Sequence, residues 1–215
     1  MDTKVSQTFA EPAPLGLLGL AVGCAALLPV AFGRVPHDPA AAAAMLETCA
    51  WMCLLFGAGC QLLAGVMALA NKNALGGTLF TTFAFNWAMN FWALDRMAHG
   101  KAVDASVIAC ADVTFLVIFV VLTFAFALVS KVLFLFLLDV DVLYALRLAG
   151  HPRGVALATV GLAAIALYLA LATLLNEAAG RALLPIGGPL LKTSARAPLR
   201  ASSSADPAGD LRFAP

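Results

Sequence analysis

The stretch EPAPLGLLGLAVGCAALLPVAF, Glu11 to Phe32, decides the fold, because its only charged residue is the first one. A helix needs about 20 apolar residues to cross the hydrocarbon core of a bilayer. The apolar part, Pro14–Phe32, has about that length and therefore predicts a membrane-spanning helix. Pro14 suits the first helical turn, where the missing N–H of proline costs nothing. Pro12 keeps the preceding chain extended.

The rest of the chain continues this pattern. Its 215 residues are 62% hydrophobic and 12% charged, with a mean hydropathy of +0.95. Soluble domains have about 45–50% apolar and about 25% charged residues, so we predict an all-α integral membrane protein. Five more apolar runs bring the predicted membrane spans to six, and the short polar breaks predict antiparallel neighbours: Met45–Ala70, Leu75–Leu94, Ser106–Val129, Val132–Leu148 and Val155–Leu175.

The predicted organisation has three parts. Residues 1–10 form a polar N-terminal segment, residues 11–187 the six-helix transmembrane domain, and residues 188–215 a disordered tail rich in Ser, Ala and Pro. An even number of spans leaves both termini on one side of the membrane. That side carries more Lys and Arg, and the positive-inside rule then places both termini in the cytoplasm. We expect the host to be a plasma membrane or a bacterial inner membrane.

Several classes of function are not expected. A net charge of +1 without a basic stripe argues against nucleic-acid binding. The five cysteines lie in apolar runs without a Cys-x-x-Cys pair, and the three histidines lie in three different polar breaks. We therefore expect no metal site, no disulfide framework and no cofactor. The chain contains no nucleophile elbow, phosphate loop or His-Glu-x-x-His motif, so an enzyme is not expected.

The third apolar run has the most polar residues. Two threonines and two asparagines recur every four residues and form one stripe on a helix, and aromatic residues run beside it: Thr78, Thr82, Asn86 and Asn90, with Phe80, Phe83, Trp87 and Phe91. This pattern favours a pore-lining helix whose path is narrowed by bulky rings. The alternative is hydrogen bonding between helices.

The second run places small residues and one amide four residues apart. Gly57 and Gly65 favour close packing of helices. Gln61 lies between them, and an amide in the middle of a span needs a partner.

Three carboxylates interrupt apolar runs. Asp139 and Asp141 are two residues apart and cannot share one helix face, and Asp112 lies in the run before them. One of the pair could bond to Arg147, to Lys131 or to another helix. A carboxylate buried in this way could carry a proton, and a structural ion pair is the alternative.

The stretch LLNEAAGRALLPIG, Leu174–Gly187, ends the last run. Asn176 and Glu177 stand where the apolar periodicity stops. Glu177 precedes Arg181 by four residues, the favourable order for an ion pair on a helix. Pro185 is expected to stop that helix.

Three separated motifs resemble the acetate uptake transporter family, which includes bacterial succinate–acetate/proton symporters. PAPLGL, Pro12–Leu17, is similar to the N-terminal signature of the family, which begins with Asn. The stretches FGAGCQLLAG and NALGGTLFTTFAFNW, within Phe56–Trp87, resemble its second and third spans. LNEAAGRALLPIG, Leu175–Gly187, resembles its C-terminal motif.

The resemblance implies a six-helix protomer in a homo-oligomer, a hexamer in the family, with one substrate path through each protomer. It implies transport of acetate and similar small monocarboxylates, and in some members succinate. Transport in the family is commonly described as proton-coupled, and a channel-like mode has also been proposed. The expected partners are thus the small carboxylate, protons, the lipid bilayer and further copies of the chain.

The lead hypothesis assigns residues to this transport. Hydrogen bonds and the entrance for the anion are assigned to Pro12, Ala13, Pro14, Leu15, Gly16, Leu17, Gln61, Thr78, Thr81, Thr82 and Asn86. The constriction is assigned to Leu20, Phe83 and Trp87, the proton-coupling role to Glu11, Asp139 and Asp141, and the C-terminal motif to Asn176, Glu177 and Arg181. Family members often have phenylalanine at the position of Leu20 and tyrosine at that of Phe83.

Glu11 stands where the family has asparagine. It precedes a helix start whose free N–H groups and positive dipole end favour anions. Glu11 could cap that helix, bind a proton or compete with the substrate. Two other functions stay open for the chain: an anion or ammonium channel on the same scaffold, and a non-transporting membrane protein of sensing or assembly.

Overall fold

The structure is a computed structural model that describes residues 8–191, and in this range all regular secondary structure is helical. Residues 1–7 and 192–215, which hold most of the predicted polar segment and of the predicted disordered tail, lie outside it. Six continuous helices follow one another in the described range: α1 (Ala13–Ala31), α2 (Pro39–Ala70), α3 (Ala74–Ala98), α4 (Ala105–Ala127), α5 (Lys131–Leu148) and α6 (Pro152–Ala179).

Short polar side chains start four of these helices at the predicted breaks. Asp38, Asn73, Asp104 and Ser130 each accept a hydrogen bond from a backbone N–H of the first turn. Such caps satisfy N–H groups that have no partner within the helix. The predicted break between α4 and α5 is therefore real, although it comprises residues 128–130, because Ser130 caps a helix that already begins at Lys131.

Four of the helices, α1, α2, α4 and α6, are long and apolar enough to cross a membrane. The two others, α3 and α5, carry more polar side chains. In its 18 residues α5 contains Lys131, Asp139, Asp141 and Arg147, and α3 contains the threonines and asparagines of the predicted stripe. The length and composition of the helices thus support four of the six predicted spans.

The helices pack in a closed ring. The neighbours with the closest backbones are α3 and α2, α2 and α1, α1 and α6, α6 and α5, and α5 and α4. Side chains join α3 to the far end of this series, because Phe83 contacts Phe119 of α4 and Asn86 bonds to Tyr144 of α5. The helix α3 therefore faces α4 and α5 across a gap that side chains only partly fill.

Glycines allow α2 to approach its neighbours. The middle of α2, Cys53–Cys60, has π-helical geometry. A Cβ on Gly57 would overlap the ring of Trp87, and one on Gly65 would lie 2.9 Å from the backbone nitrogen of Thr81. The prediction that these glycines serve helix packing is confirmed.

Candidate functional site

Two cavities open at opposite ends of the gap beside α3. The larger, which we call the Arg147 cavity, has a volume of about 440 Å³. It lies among the C-terminal parts of α1, α3 and α5 and the start of α6. The smaller, which we call the Glu11 cavity, has a volume of about 180 Å³ and lies among the N-terminal parts of α1, α3 and α5 and the C-terminal ends of α2 and α4.

Most of the wall of the Arg147 cavity is apolar, and its polar groups come from α3, from α5 and from the start of α6, where His151 and Thr159 line it. Asn86 Nδ2 donates a hydrogen bond to Tyr144 Oη at 2.6 Å. Asn90 Nδ2 donates to Asn86 Oδ1 at 3.4 Å. All three side chains line the cavity together with Arg147. Cys24, Val140, Leu143 and Leu162 are among the apolar residues around them.

Arg147 is oriented by a carboxylate on the neighbouring helix. Its Nε lies 2.9 Å from Asp112 Oδ2, and the Asp112 side chain is only 4% exposed. Of the three partners considered for Asp139 or Asp141, namely Arg147, Lys131 and another helix, Arg147 is excluded because it pairs with Asp112. The third is observed for Asp141, which bonds to Thr123 on α4. Asp112 reaches Arg147 because α4 and α5 pack side by side in opposite directions.

Aromatic rings separate the two cavities. Phe83 lines the Arg147 cavity, Phe136 lines the Glu11 cavity, and their ring centroids are 6.0 Å apart. Phe119 contacts Phe83 with a tilted ring, at 4.5 Å between the centroids, and closes this layer from the α4 side. Of the other two predicted constriction residues, Trp87 lines the Arg147 cavity, and Leu20 is 1% exposed within the core.

The N-terminal motif is divided between this path and the helix contacts. Ala13 and Leu17 line the Glu11 cavity. Glu11 lines it as well, and its Oε1 accepts a hydrogen bond of 3.2 Å from the Ala13 N–H. Glu11 thus caps α1, one of its three proposed roles. Of the remaining residues, Pro12 and Pro14 are buried, Leu15 is exposed, and Gly16 packs on the ring of Phe80.

The predicted polar stripe of α3 reaches a cavity only in its second half. Asn86 and Asn90 line the Arg147 cavity, whereas the threonines lie outside both cavities. Thr78 is exposed and Thr82 half-buried. Thr81 donates to its own helix, at Gly77 O, over 2.8 Å. For these threonines a contact with substrate stays a prediction.

Gln61 is fully buried at the end of the π-helical segment of α2. Both polar atoms of its amide lack a hydrogen-bond partner among the described residues. Gln61 lies outside both cavities, and its predicted role in substrate binding stays a prediction.

The two aspartates of α5 point to different helices, as their spacing predicts. Asp141 Oδ2 accepts a hydrogen bond of 2.7 Å from the Thr123 hydroxyl on α4. Asp139 faces α6, where a Cβ on Gly161 would lie 3.0 Å from its Oδ1. Each keeps one buried oxygen without a partner within residues 8–191. Neither lines a cavity, and their proton-coupling role stays a prediction.

The C-terminal motif fastens the chain after α6. The Asn176 side chain accepts hydrogen bonds from the N–H groups of Leu183 and Leu184 and donates one to Leu184 O, at 2.6–2.9 Å. The helix ends at Ala179 because Gly180 adopts a left-handed conformation with φ of 61°. Two expectations are therefore wrong: Pro185 does not stop this helix, and the Glu177–Arg181 ion pair does not form, since Arg181 lies beyond the helix.

Tyr144 and Arg147 line the Arg147 cavity, and the sequence pattern did not single them out as site residues. They are three residues apart and share one face of α5. A tyrosine and an arginine on one face of an otherwise apolar run are a signal for a polar cavity, because a lipid-facing position would cost both side chains free energy.

Comparison with known proteins supports this architecture. No family profile matches the chain, and no curated protein sequence matches it. Among solved structures, the bacterial acetate channel SatP matches with a TM-score of 0.69 and 28% sequence identity, over 84% of this chain and 100% of that one. The likeness to the acetate uptake transporter family that the three motifs indicate is thereby confirmed, and the chain is an integral membrane protein with the fold of a bacterial acetate channel.

Proposed function

We propose that this chain carries acetate and similar small monocarboxylates across a membrane. The observation that carries the proposal is the match to the acetate channel SatP, which extends over the whole of that chain at 28% identity. A transport protein also accounts for a site with cavities but without a catalytic constellation in the described residues. The substrate is an anion, and an anion needs hydrogen-bond donors or positive charge along its path.

The proposed route runs from the Glu11 cavity past Phe136 and Phe83 into the Arg147 cavity. Ala13 and Leu17 line its first part, and Asn86 its second. Phe83, Trp87 and Leu20 narrow the path by bulk and keep it dry. In this route the rings must move aside, because the side chains between the cavities are in contact.

The finer features of the transport rest on the family resemblance. We propose that α3 and α5 also cross the membrane, which gives six spans and cytoplasmic termini, and that the protomers assemble into a hexamer. Helices of 25 and 18 residues at about 1.5 Å per residue are long enough for this. Succinate is a further candidate substrate. Proton coupling through Glu11, Asp139 or Asp141 is the active mode, and a passive channel is the alternative.

Flux into proteoliposomes tests the function. The full chain is reconstituted, and uptake of labelled acetate is measured with and without a pH gradient across the membrane. We expect uptake above that of protein-free liposomes. Uptake that needs the gradient supports proton coupling, and uptake independent of it supports a channel. A rate equal to that of protein-free liposomes in both conditions contradicts the proposed function.

Two variants separate the coupling candidates. Asp139→Asn removes one charge that faces α6, and Asp141→Asn removes one that faces α4 and keeps a hydrogen-bond acceptor for Thr123. If one of them carries the proton, its variant transports acetate at the same rate with and without the gradient. Unchanged gradient dependence in both variants leaves Glu11 as the candidate.

A further inference from the structure

The Arg147 cavity is lined by an arginine and a tyrosine of α5 that lie outside the three family-like motifs. Arg147 lines this cavity. Its Nε forms an ion pair with Asp112, which is not part of the cavity wall. The ion pair runs through Nε, and the second carboxylate oxygen of Asp112 has no hydrogen-bond partner in the described range, so Asp112 does not engage the two terminal nitrogens of the guanidinium. Arginine in this state offers a fork of donors that matches the two oxygens of a carboxylate.

A second donor is prepared one helical turn away. The hydrogen bonds run from Asn90 to Asn86 and from Asn86 to the oxygen of Tyr144. Because the Tyr144 oxygen serves as acceptor here, its own hydrogen is free to be donated. Tyr144 and Arg147 are three residues apart on α5, so both donors face the same space.

The surroundings of these donors suit a small carboxylate with an apolar tail. No aspartate or glutamate of the described range lines the cavity, so an anion meets no repelling charge on its wall. Val140, Leu143 and Leu162 line the wall nearby, and they can accept a methyl or short alkyl group. In a poorly hydrated cavity each charge-assisted hydrogen bond is strengthened.

We propose that Arg147 and Tyr144 form a binding site for the carboxylate group of the transported substrate, with Asp112 as the residue that positions Arg147. This inference rests on the proposed function, since it names the site at which that substrate is held. Asp112 and Arg147 together are neutral, and the ion pair keeps the guanidinium in one orientation.

Removal of Arg147 alone would leave Asp112 as an unpaired buried charge, so the test replaces both members of the ion pair with neutral residues. The variants are Asp112→Asn and Asp112→Asn/Arg147→Gln in the full chain, with Tyr144→Phe as a milder change. Arg153→Gln is the matched control, because Arg153 is an exposed arginine at the start of α6 outside the Arg147 cavity. Acetate uptake into proteoliposomes is measured as a function of acetate concentration.

We expect Arg153→Gln to keep the wild-type half-saturating concentration. Asp112→Asn should raise it by about threefold, because Arg147 loses the carboxylate that orients it. The half-saturating acetate concentration of the double variant should be at least about tenfold higher than that of Asp112→Asn, which corresponds to one lost charge-assisted hydrogen bond. Tyr144→Phe should need about threefold to tenfold more acetate than the wild type. Equal half-saturation in Asp112→Asn and in the double variant would overturn the proposal.

Thermal stabilisation of the purified protein by acetate tests the binding site independently of transport. Binding to the folded state raises the melting temperature, so each purified variant is melted in acetate and in chloride at equal ionic strength. We expect acetate to stabilise the wild type and Asp112→Asn more than chloride does, and to lose this advantage in the double variant. That pattern without any flux refutes transport but keeps the site. Flux with equal acetate stabilisation in all variants refutes the site but keeps transport.

Discussion

Gly57 shows how a single atom determines the packing beside the Arg147 cavity. The ring of Trp87 lies directly on this glycine, and the same ring lines the cavity. Gly59 is two residues away in the same π-helical segment, where the nearest atom to an added Cβ is Leu54 O at 3.4 Å. Two neighbouring glycines thus differ in one property, the space above their Cα atoms.

We expect Gly57→Ala to lower the free energy of unfolding by about 1–3 kcal/mol, the usual cost of overpacking a well-filled site. Gly59→Ala should leave it unchanged or raise it, because alanine is the better helix former. Thermal melting of the purified variants in one detergent measures the difference. Equal melting temperatures for the two variants would show that Trp87 moves aside without cost.

At the scale of single residues, the sequence predicted the kind of role that a residue has better than it predicted which residue it contacts. Gly57 and Gly65 lie eight residues apart on one helix face, and this was sufficient to predict close packing, since small residues in a span let helices approach each other. The partner of Arg147 could not be predicted. Three carboxylates lie in apolar runs, and only the packing of α4 against α5 selects Asp112.

At the scale of the element, the end of α6 depends on one side chain. Asn176 replaces the missing helical hydrogen bonds by holding the backbone of Leu183 and Leu184. The chain then returns along the junction of α4 and α5, where Ser130 Oγ donates to Ile186 O at 2.7 Å. Asn176 therefore fixes the direction in which the segment after Gly180 leaves the helix.

Asn176→Ala should release this segment while α6 stays helical. Three hydrogen bonds are lost, each with a net value of about 0.5–1.5 kcal/mol. The amides of Leu183 and Leu184 are then expected to exchange with deuterium faster than in the wild type, as measured by mass spectrometry. Glu177→Ala is the control, because the exposed Glu177 takes no part in these bonds. The Tyr168 hydroxyl also contacts this segment, because it donates to Pro185 O at 2.8 Å. Unchanged exchange in Asn176→Ala would mean that Ser130 and Tyr168 hold the segment by themselves.

The helices were predictable from apolar length, and their irregularities were not. The polar breaks supply the caps Asp104 and Ser130, which is why the helix starts agree with the expectation. The sequence did not predict the π-helical segment of α2, in which Gly57 lies against Trp87 of α3 and beside Gly23 of α1. The helix α6 ends at Ala179, well before Pro185, because Gly180 adopts a left-handed conformation.

At the scale of the whole molecule, the cavities form because polar residues are distributed unequally among the six helices. The four most apolar helices satisfy the length and hydropathy of a membrane span, and α3 and α5 contribute the polar groups that face the gap. A chain that crosses lipid must keep such groups inside. The same division explains why composition predicts the membrane fold, while the cavity walls emerge only when α3 and α5 are opposed.

The layer of rings between the cavities gives a prediction for the complete path. Phe83→Leu removes aromatic bulk between Phe119 and Phe136, so we expect it to raise the uptake of butyrate relative to acetate in proteoliposomes by about threefold or more. A change of this size requires only about 0.7 kcal/mol in the relative barriers. Phe85→Leu, two residues away on the same helix and 66% exposed, is the control and should keep the wild-type ratio. In this interpretation the bulk of the rings creates the barrier to butyrate. Hydration does not create it, because the extra methylene groups of butyrate favour transfer from water into a dry path. An unchanged butyrate-to-acetate ratio in Phe83→Leu, with a melting temperature showing that the variant is folded, would mean that the substrate does not pass between these rings.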